Sequence, residues 1–403
     1  MSLNVLAGSN IKARIGNNFY ETLEEAIAAA SSTDVITLTG DVSLSETMEI
    51  KKTVNINLNN HTISADSKVF LVEGGSLNLT GNGKIKENKP YYGAIVMKGS
   101  SDPNDEDYST ISVSEGVTLE GWSGIFIDHN DTNTAHGILV NMNGDINAVN
   151  DIEGGPGAGI YVNGNIKHDD NPPVINLSDT VEITSTGNGI YAAGYAIYNI
   201  NGATIEGDES GLGIKSGVFN VNSGNILSNG ADETPTTGNN NGINASGTAI
   251  QIESNPGYFG KIELDIDDGN ITSSNSYAIY EYTTSTSGTN VSDINLKGGT
   301  YSSKKDNFNL SESFKGNHPT FISGGSYTSD PTPYLITGYG SSKDGDVYEV
   351  ISSTMSVFGE TNGEYSNFPW GLVIGIISLV IVSLIGFINR DKIFNFLSNI
   401  RNR

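Results

Sequence analysis

Cysteine is absent from this chain of 403 residues, which excludes disulfide frameworks and thiolate metal sites. Basic residues are scarce, because positions 1–389 hold 17 lysines and arginines against 45 aspartates and glutamates, a net charge of −28. A body this acidic repels nucleic acid and anionic lipid headgroups. We therefore expect no nucleic-acid partner, and the lack of cysteine is compatible with an exported protein.

Helical periodicity is almost as scarce before residue 370, and two short phrases recur in its place. The first is a small residue, Ile and an aromatic or aliphatic residue, found at 124–126, 137–139, 159–161, 189–191, 196–198 and 278–280. The second is Gly-x-Ile, found at 83–85, 144–146, 164–166, 224–226 and 269–271. Gly-x-Ile phrases often lie about 20 to 29 residues apart, which suits one coil of a solenoid and is too short for a βαβ unit. The sequence predicts an all-β solenoid of about 12 coils.

One soluble helix is predicted, near the start of the chain. Thr22 and Glu25 form a T-x-x-E capping box, and apolar residues follow on one helical face from Leu23 to Ala30. A helix with a single apolar face is able to cover the open end of a solenoid. We therefore expect an N-terminal cap that leads into the first coil.

Two stretches that flank the repeats carry a resemblance to known proteins. Residues 15–42 read IGNNFYETLEEAIAAASSTDVITLTGDV, and residues 322–350 read ISGGSYTSDPTPYLITGYGSSKDGDVYEV. In this order they resemble the paired caps of right-handed parallel β-helix (pectate-lyase-like) surface proteins, which are common in gut Firmicutes and their relatives. The resemblance covers roughly residues 11–350 and implies an architecture and a surface habitat more than an activity.

The C-terminal part predicts a membrane anchor. Residues 370–388 are 19 residues without a charge, which predicts one transmembrane helix. Because Arg390 and Lys392 follow this run, the positive-inside rule places the tail in the cytoplasm and the solenoid outside. Gly371 and Gly375 form a G-x-x-x-G motif, through which two spans could pair as a weak homodimer.

These features divide the chain into six segments. They are an N-terminal segment at 1–10, a cap at 11–50, the parallel β-helix with its C-terminal cap at 51–350, a linker at 351–369, the transmembrane helix at 370–388 and a basic cytoplasmic tail at 389–403. The chain starts without a basic or apolar leader, so we expect a processed or truncated form of an exported protein. The competing interpretation is a tail-anchored protein with its solenoid in the cytoplasm.

Enzymes of the resembled fold are mainly polysaccharide lyases and glycoside hydrolases, so the resemblance raises the possibility of their catalytic groups. Arg14 is the only arginine among residues 1–389 and lies in the cap, which argues against an arginine-based lyase. Lone lysines are usually exposed, and four lie in the coils: Lys98, Lys167, Lys215 and Lys261. The His and Arg-x-Lys of a polygalacturonase-like hydrolase are not matched. We expect no enzymatic activity, with a lyase or hydrolase of this fold as the alternative.

Two acidic stretches are candidates for a metal site. The first contains Asp128, His129, Asp131 and His136, with a His-Asp-Asp run at 168–170 expected one or two coils away. Imidazole and carboxylate groups bind divalent metals or act as acid and base. The second contains Asp265, Asp267 and Asp268, whose oxygens suit Ca²⁺ but lack the EF-hand spacing. Polar turns are the commoner explanation of both patterns, so no cofactor is expected and Ca²⁺ is the weak alternative.

An aromatic column is the candidate ligand-binding site. If the isoleucines of the first phrase point inward, strand alternation turns the next side chain outward. The side chains concerned are Phe126, Tyr161, Tyr191 and Tyr280. Stacked in register, they form either a stripe suited to sugar rings or a ladder that only stabilises the solenoid.

Together these patterns predict a single-pass cell-surface protein whose β-helix serves as an adhesin or a glycan-binding surface. The expected partners are the membrane, glycans, and proteins on a host or neighbouring cell. A structural coat or spacer protein is a further alternative, which the sequence does not separate from an adhesin.

Overall fold

The computed structural model describes residues 11–89, 92–148, 157–239, 242–254, 257–283 and 290–352. The chain divides into two units, Met1–Ser353 and Thr354–Arg403, and the second lies outside the described residues. Within the described residues, no helix is long and apolar enough to cross a bilayer. The transmembrane helix at 370–388 lies outside them and stays a prediction.

The described chain winds into coils whose equivalent strands pair in parallel from one coil to the next. One side of the solenoid is a ten-stranded sheet with one strand from each coil. Its strands, in spatial order, are β5 (Met48–Ile50), β8 (Phe70–Glu73), β11 (Ile95–Lys98), β14 (Ser123–Asp128), β17 (Ala158–Val162), β20 (Asn188–Ala192), β22 (Ser210–Ile214), β26 (Thr248–Ser254), β29 (Ile279–Thr283) and β32 (Phe308–Asn309).

The other sides of the coils belong to a 23-stranded sheet that contains two parallel ladders. The first ladder is β3 (Val35–Leu38), β6 (Thr53–Asn57), β9 (Ser76–Thr80), β12 (Ser109–Val113), β15 (Ile138–Met142), β18 (Val174–Leu177), β21 (Ile197–Gly207), β23 (Gly217–Ser228), β27 (Ile262–Ile266) and β30 (Val291–Leu296). The second is β4 (Val42–Leu44), β7 (His61–Ala65), β10 (Gly83–Glu87), β13 (Val117–Glu120), β16 (Asp145–Ala148), β19 (Glu182–Ser185), then β21 and β23 again, β28 (Asn270–Ser273), β31 (Thr300–Ser303) and β33 (Ser326–Tyr327). A separate antiparallel hairpin, β24 (Glu233–Asn239) and β25 (Gly242–Ser246), is inserted before β26.

The N-terminal end is closed by a hairpin and a helix. Strands β1 (Ala13–Ile15) and β2 (Asn18–Tyr20) pair antiparallel, and β1 also pairs with β3. Helix α1 (Leu23–Ala29) starts after Thr22, whose Oγ1 accepts a hydrogen bond from the Glu25 N–H at 3.1 Å. Leu23 and Ala26 are fully buried, so the predicted capping helix is confirmed. Only half of the predicted capping box forms, because the Glu25 carboxylate accepts a hydrogen bond from the Glu21 N–H at 3.2 Å and not from the Thr22 N–H.

The C-terminal end changes from parallel to antiparallel pairing. Helix α2 (Glu312–Asn317) and the 3₁₀ turn η1 (Thr332–Tyr334) precede strands β34 (Tyr339–Asp344) and β35 (Val347–Ser352). The last two form a hairpin, and β35 pairs antiparallel with β33. An antiparallel hairpin therefore ends the second ladder.

Glycines of the first phrase lie against isoleucines of the second ladder inside the solenoid. A Cβ added to Gly124, on β14, would lie 2.5 Å from Ile146 Cγ2, on β16. A Cβ on Gly159, on β17, would lie 2.2 Å from Ile183 Cγ2, on β19. The glycine of the first phrase thus leaves the space that an isoleucine of the second ladder occupies, and this holds the ten-stranded sheet close to its neighbour.

The all-β, predominantly parallel solenoid predicted from the phrases is confirmed, but the coils are fewer and longer than expected. The described residues form ten coils, one for each strand of the ten-stranded sheet. Paired residues of this sheet are 22 positions apart between Ile190 and Leu212, and 38 apart between Leu212 and Ile250. Inserted loops and the β24–β25 hairpin lengthen individual coils, which explains why the estimate of about 12 was too high.

Candidate binding site on the outer face of the ten-stranded sheet

Aromatic rings stack on the face of the ten-stranded sheet that is turned away from the core. The rings of Phe126 and Tyr161 lie 4.8 Å apart and within 3° of parallel, and those of Tyr161 and Tyr191 are also 4.8 Å apart. Trp122 packs beside them, 5.6 Å from the Tyr161 ring. Parallel pairing brings these side chains into one column, because Phe126, Tyr161 and Tyr191 are direct cross-strand partners. We call these four side chains the aromatic row.

Tyr280, the fourth predicted member of the stripe, lies on the same column but not in the row. Gly213 and Gln251 occupy the two positions between Tyr191 and Tyr280. The structure therefore brings three of the four predicted residues into contact and adds Trp122, which the sequence phrases did not single out. The ligand-binding role of all four predicted residues stays a prediction.

The aromatic row is mostly covered. Phe126, Trp122 and Tyr191 are only 8%, 8% and 4% exposed, whereas Tyr161 and Tyr258 are partly exposed. Burial raises the pKa of Tyr161 to about 12, with the nearby Asp128 carboxylate adding to the rise. Burial also raises the pKa of Tyr258 well above the ordinary range. Both hydroxyls therefore stay protonated at neutral pH and are available as hydrogen-bond donors.

Next to the row, Lys215 and Glu253 form a buried ion pair that the sequence did not predict. The Nζ of Lys215 contacts Glu253 Oε2, and the two side chains are 1% and 2% exposed. The rings of Tyr191 and Tyr258 each lie 5.3 Å from that Nζ. Lys215 was expected to be an exposed lysine; this was wrong, because Tyr258, from the segment before β27, covers it.

A pocket of about 450 Å³ opens beside Tyr258. Its lining consists of Lys167, Gly257, Tyr258, Phe259, Gly260 and Asn290. The Nδ2 of Asn290 donates to the Lys215 carbonyl at 3.1 Å, while its Oδ1 is buried without a hydrogen-bond partner. Lys167 is exposed, and its Nζ donates to the Gly164 carbonyl at 2.9 Å. An ammonium group and an aromatic ring with its hydroxyl therefore line one concave site.

The histidines of the first predicted metal site are partly brought together. His136, His168 and Asp170 place three potential ligand atoms within 4.8 Å of one another. Both Nδ1 atoms, however, lie within hydrogen-bond distance of the Asp170 carbonyl, at 2.8 Å and 2.9 Å. His168 Nε2 accepts a hydrogen bond from the Ala135 N–H at 2.9 Å. An accepting Nε2 places the proton of a neutral ring on Nδ1, which favours a hydrogen-bonded pair over a metal centre.

The other members of that site have local partners and do not join this group. Asp128 Oδ1 accepts hydrogen bonds from Asn163 Nδ2 and from the His129 N–H, both at 2.9 Å. His129 Nδ1 lies 2.8 Å from the carbonyl oxygen of the next residue. Asp131 is exposed in the turn that follows. These contacts fit the polar-turn explanation, and a metal role for these residues stays a prediction.

The predicted Ca²⁺ site contains a lysine. The Nζ of Lys297 lies 3.2 Å from Asp265 Oδ2 and 3.0 Å from Asp267 Oδ1. Asp268 Oδ1 accepts a hydrogen bond from the Gly269 N–H at 2.7 Å instead. An ammonium group between two carboxylates opposes a second cation at the same place. Ca²⁺ binding by this stretch is therefore disfavoured by its charges, although it stays a prediction.

The buried histidine pair predicts a defined loss of stability in acid. Burial lowers the pKa of His168, and the facing His136 lowers it further, while Asp169 and Asp170 act in the opposite direction. Because the unfolded histidine binds protons below about pH 6.5, stability is retained above that pH and lost as pH falls towards the lower folded pKa. In a His168→Gln variant the side-chain oxygen can still accept the hydrogen bond from the Ala135 N–H, but the side chain does not bind a proton in this pH range. Thermal unfolding of both proteins from pH 8 to pH 5 should show the wild type losing more stability, and parallel curves would contradict this assignment.

Comparison with known proteins leaves the assignment to the structure itself. The chain matches no family model, and neither the curated proteins nor the solved structures give a match.

Proposed function

We propose that this chain is a non-enzymatic cell-surface protein that binds glycans on the outer face of the ten-stranded sheet. The observation that carries the proposal is the aromatic row with the pocket beside it. Tyr161 and Tyr258 present partly exposed rings, and the pocket adds the Lys167 ammonium. Rings that pack against sugar faces, flanked by a few polar groups that fix orientation, are the usual composition of such sites.

The net negative charge of the chain favours a neutral glycan. Residues 1–389 carry a net charge of −28, so a polyanionic chain is repelled at long range. Sugar hydroxyls both donate and accept hydrogen bonds. They therefore suit a pocket whose polar groups include the Lys167 ammonium and the Tyr258 hydroxyl.

The architecture supports a surface role of the kind that the caps suggest. We assign the solenoid to the right-handed, pectate-lyase-like class of parallel β-helices, anchored by a span at 370–388 with the solenoid outside the cell. Ten coils in register form a regular face, on which a linear glycan is able to contact several successive coils. A spacer protein would use the same scaffold without needing the pocket.

Burial of Lys215 argues against a role for this lysine as an enzymatic base. The lysine next to the aromatic row is Lys215, whose side chain is 1% exposed and paired with Glu253. A lyase base must reach the proton of a polymeric substrate within hydrogen-bond distance. Lys215 is out of reach behind Tyr258 and does not meet this condition, whereas Lys167 is exposed in the pocket and donates to the Gly164 carbonyl.

The proposal is tested by binding measurements on the full-length protein in detergent. A glycan array should retain neutral oligosaccharides, and a retained glycan is then titrated against variants. Tyr161→Ala and Tyr258→Ala are each expected to weaken binding at least tenfold, about 1.4 kcal/mol, because each removes a ring that packs on the sugar.

Tyr339→Ala serves as the matched control, since Tyr339 lies on the C-terminal hairpin. This variant should bind like the wild type. Retention of no glycan, or equal affinity of Tyr161→Ala, Tyr258→Ala and wild type, would reject glycan binding at this face and favour the spacer role.

A further inference from the structure

The Lys215–Glu253 pair differs from the other ion pairs of the described residues in its burial. Its side chains are 1% and 2% exposed, whereas the next most buried carboxylate, Glu120, is 14% exposed and its lysine partners are 51% and 41% exposed. Cross-strand register explains the contact: Ile214 pairs with Ile252, so the residues that follow them stand side by side on adjacent coils. The pairing of the two strands therefore places the two side chains next to each other.

Water is largely excluded around this pair. Rings of Tyr191 and Tyr258 lie 5.3 Å from Lys215 Nζ, and the neighbouring Gln251 is 1% exposed. Gln251 Nε2 donates a hydrogen bond to the Tyr282 hydroxyl at 2.9 Å, and this contact limits the access of water to the ion pair from that direction. Burial lowers the pKa of Lys215, so the neutral amine is more accessible here than in water. Burying two charged groups away from water costs free energy, even when they form an ion pair.

A second carboxyl group, that of Glu209, interacts electrostatically with Lys215. Glu209 precedes β22, and its Oε2 accepts a hydrogen bond from Asn188 Nδ2 at 2.8 Å. Burial raises the pKa of Glu209 to about 7, although the Lys215 charge acts to lower it. Near neutral pH this carboxyl therefore exchanges between its acid and its base form.

We propose that Lys215 and Glu253 become joined by an amide bond between Nζ and Cδ, formed by the folded chain itself. Proton transfer from the ammonium to the carboxylate gives a neutral amine and a neutral acid. The Nζ lone pair then attacks Cδ, and the Glu209 carboxylate accepts a proton from Nζ. Glu209 returns that proton to a hydroxyl of the tetrahedral intermediate, which leaves as water. One N–C bond forms and one C–O bond breaks, with no oxidant or external reactant.

The site favours this condensation for three physical reasons. The amide removes two buried charges, whose solvation is lost in the folded chain. The reacting groups are held side by side, and well-oriented intramolecular groups react as if at very high concentration. The dry surroundings also oppose the reverse attack by water. The link would tie two successive coils across 38 positions of a chain that has no cysteine for a disulfide.

The test is the mass of the denatured full-length protein after purification at neutral pH. The linked wild type should be lighter than its sequence mass by about 18 Da, the mass of one water. Trypsin should not cut after Lys215, and one branched peptide should contain both residues. Lys215→Arg keeps a cation for Glu253 but should show no deficit, and neither should Glu253→Ala. Lys261→Met, which removes an exposed ion pair, should keep the deficit.

Glu209→Gln provides a readout of the proton transfer. This variant keeps the shape of the side chain and should lower the linked fraction, because an amide does not relay the proton. A wild-type mass equal to the sequence mass, even after prolonged incubation at neutral pH, would overturn the proposal. These masses do not depend on any glycan, so the outcome is separate from that of the binding experiments.

Discussion

Replacing Ala26 with aspartate is expected to open the N-terminal end of the solenoid. Ala26 is fully buried in the face of α1 that covers the first coil, and no basic side chain occupies the last turn of that helix. A carboxylate forced into this buried place loses its hydration, so it should cost about 4 kcal/mol or more of the free energy of unfolding. Denaturant unfolding of the full-length protein measures that loss.

The same helix supplies the control. Ala28 lies two residues further along and is exposed, so Ala28→Asp introduces the same charge without burial. It should change stability by less than about 1 kcal/mol. Comparable losses in both variants would show that α1 does not cover the core.

Loss of the cap should also change the behaviour of the strands beneath it. Successive coils of a solenoid contact mainly their neighbours, so unfolding is expected to begin at the uncapped end. Hydrogen exchange should accelerate in β3 and β6 of Ala26→Asp more than in β27 and β30. Exposed strand edges also invite end-to-end pairing, which sedimentation velocity would detect as oligomers. A variant that stays monomeric with unchanged exchange in β3 would contradict the capping role.

The periodic part of the fold could be predicted from sequence because it depends on local alternation. In β6, Val54 and Ile56 point inward while Asn55 and Asn57 stay partly exposed, as period-2 patterning requires. The number of coils could not be predicted equally well. Inserted loops carry no periodicity, so the spacing of Gly-x-Ile phrases underestimates the length of the coils that contain them.

The candidate site was predictable only where it follows the strands. Outward placement of Phe126, Tyr161 and Tyr191 follows from the buried isoleucine before each of them. The gap in the aromatic column before Tyr280 could also have been predicted from the sequence. Residues 249–251 are Ala-Ile-Gln, so the third position of that phrase is not aromatic. Burial of Lys215 was not readable, because Tyr258 covers it from a segment without a repeat, 43 positions further along the chain.

The close approach of a first-phrase glycine to an isoleucine of the second ladder gives the last prediction. Gly159→Ala is expected to destabilise the protein by about 3 kcal/mol, because overpacking in a close-packed interior forces backbone shifts. Its added Cβ would lie 2.2 Å from Ile183 Cγ2 and 2.5 Å from the Gly189 carbonyl oxygen, so two coils would have to move. Gly340→Ala is the control, since nothing lies within 4 Å of its Cβ position. Denaturant unfolding compares the two, and equal stabilities would reject the close approach.

A double-mutant cycle at the equivalent position then identifies the cause. At Gly124 the three nearest atoms to an added Cβ all belong to the Ile146 side chain, at 2.5 Å, 2.9 Å and 3.1 Å. Gly124→Ala and Ile146→Ala should each destabilise, the first by overpacking and the second by leaving a cavity. The double variant should be more stable than the sum of the two losses predicts, by at least about 1 kcal/mol, because the new methyl group enters the space vacated by Ile146. Additive losses would mean that the two phrases do not meet, and that the solenoid owes its repeat to strand patterning alone.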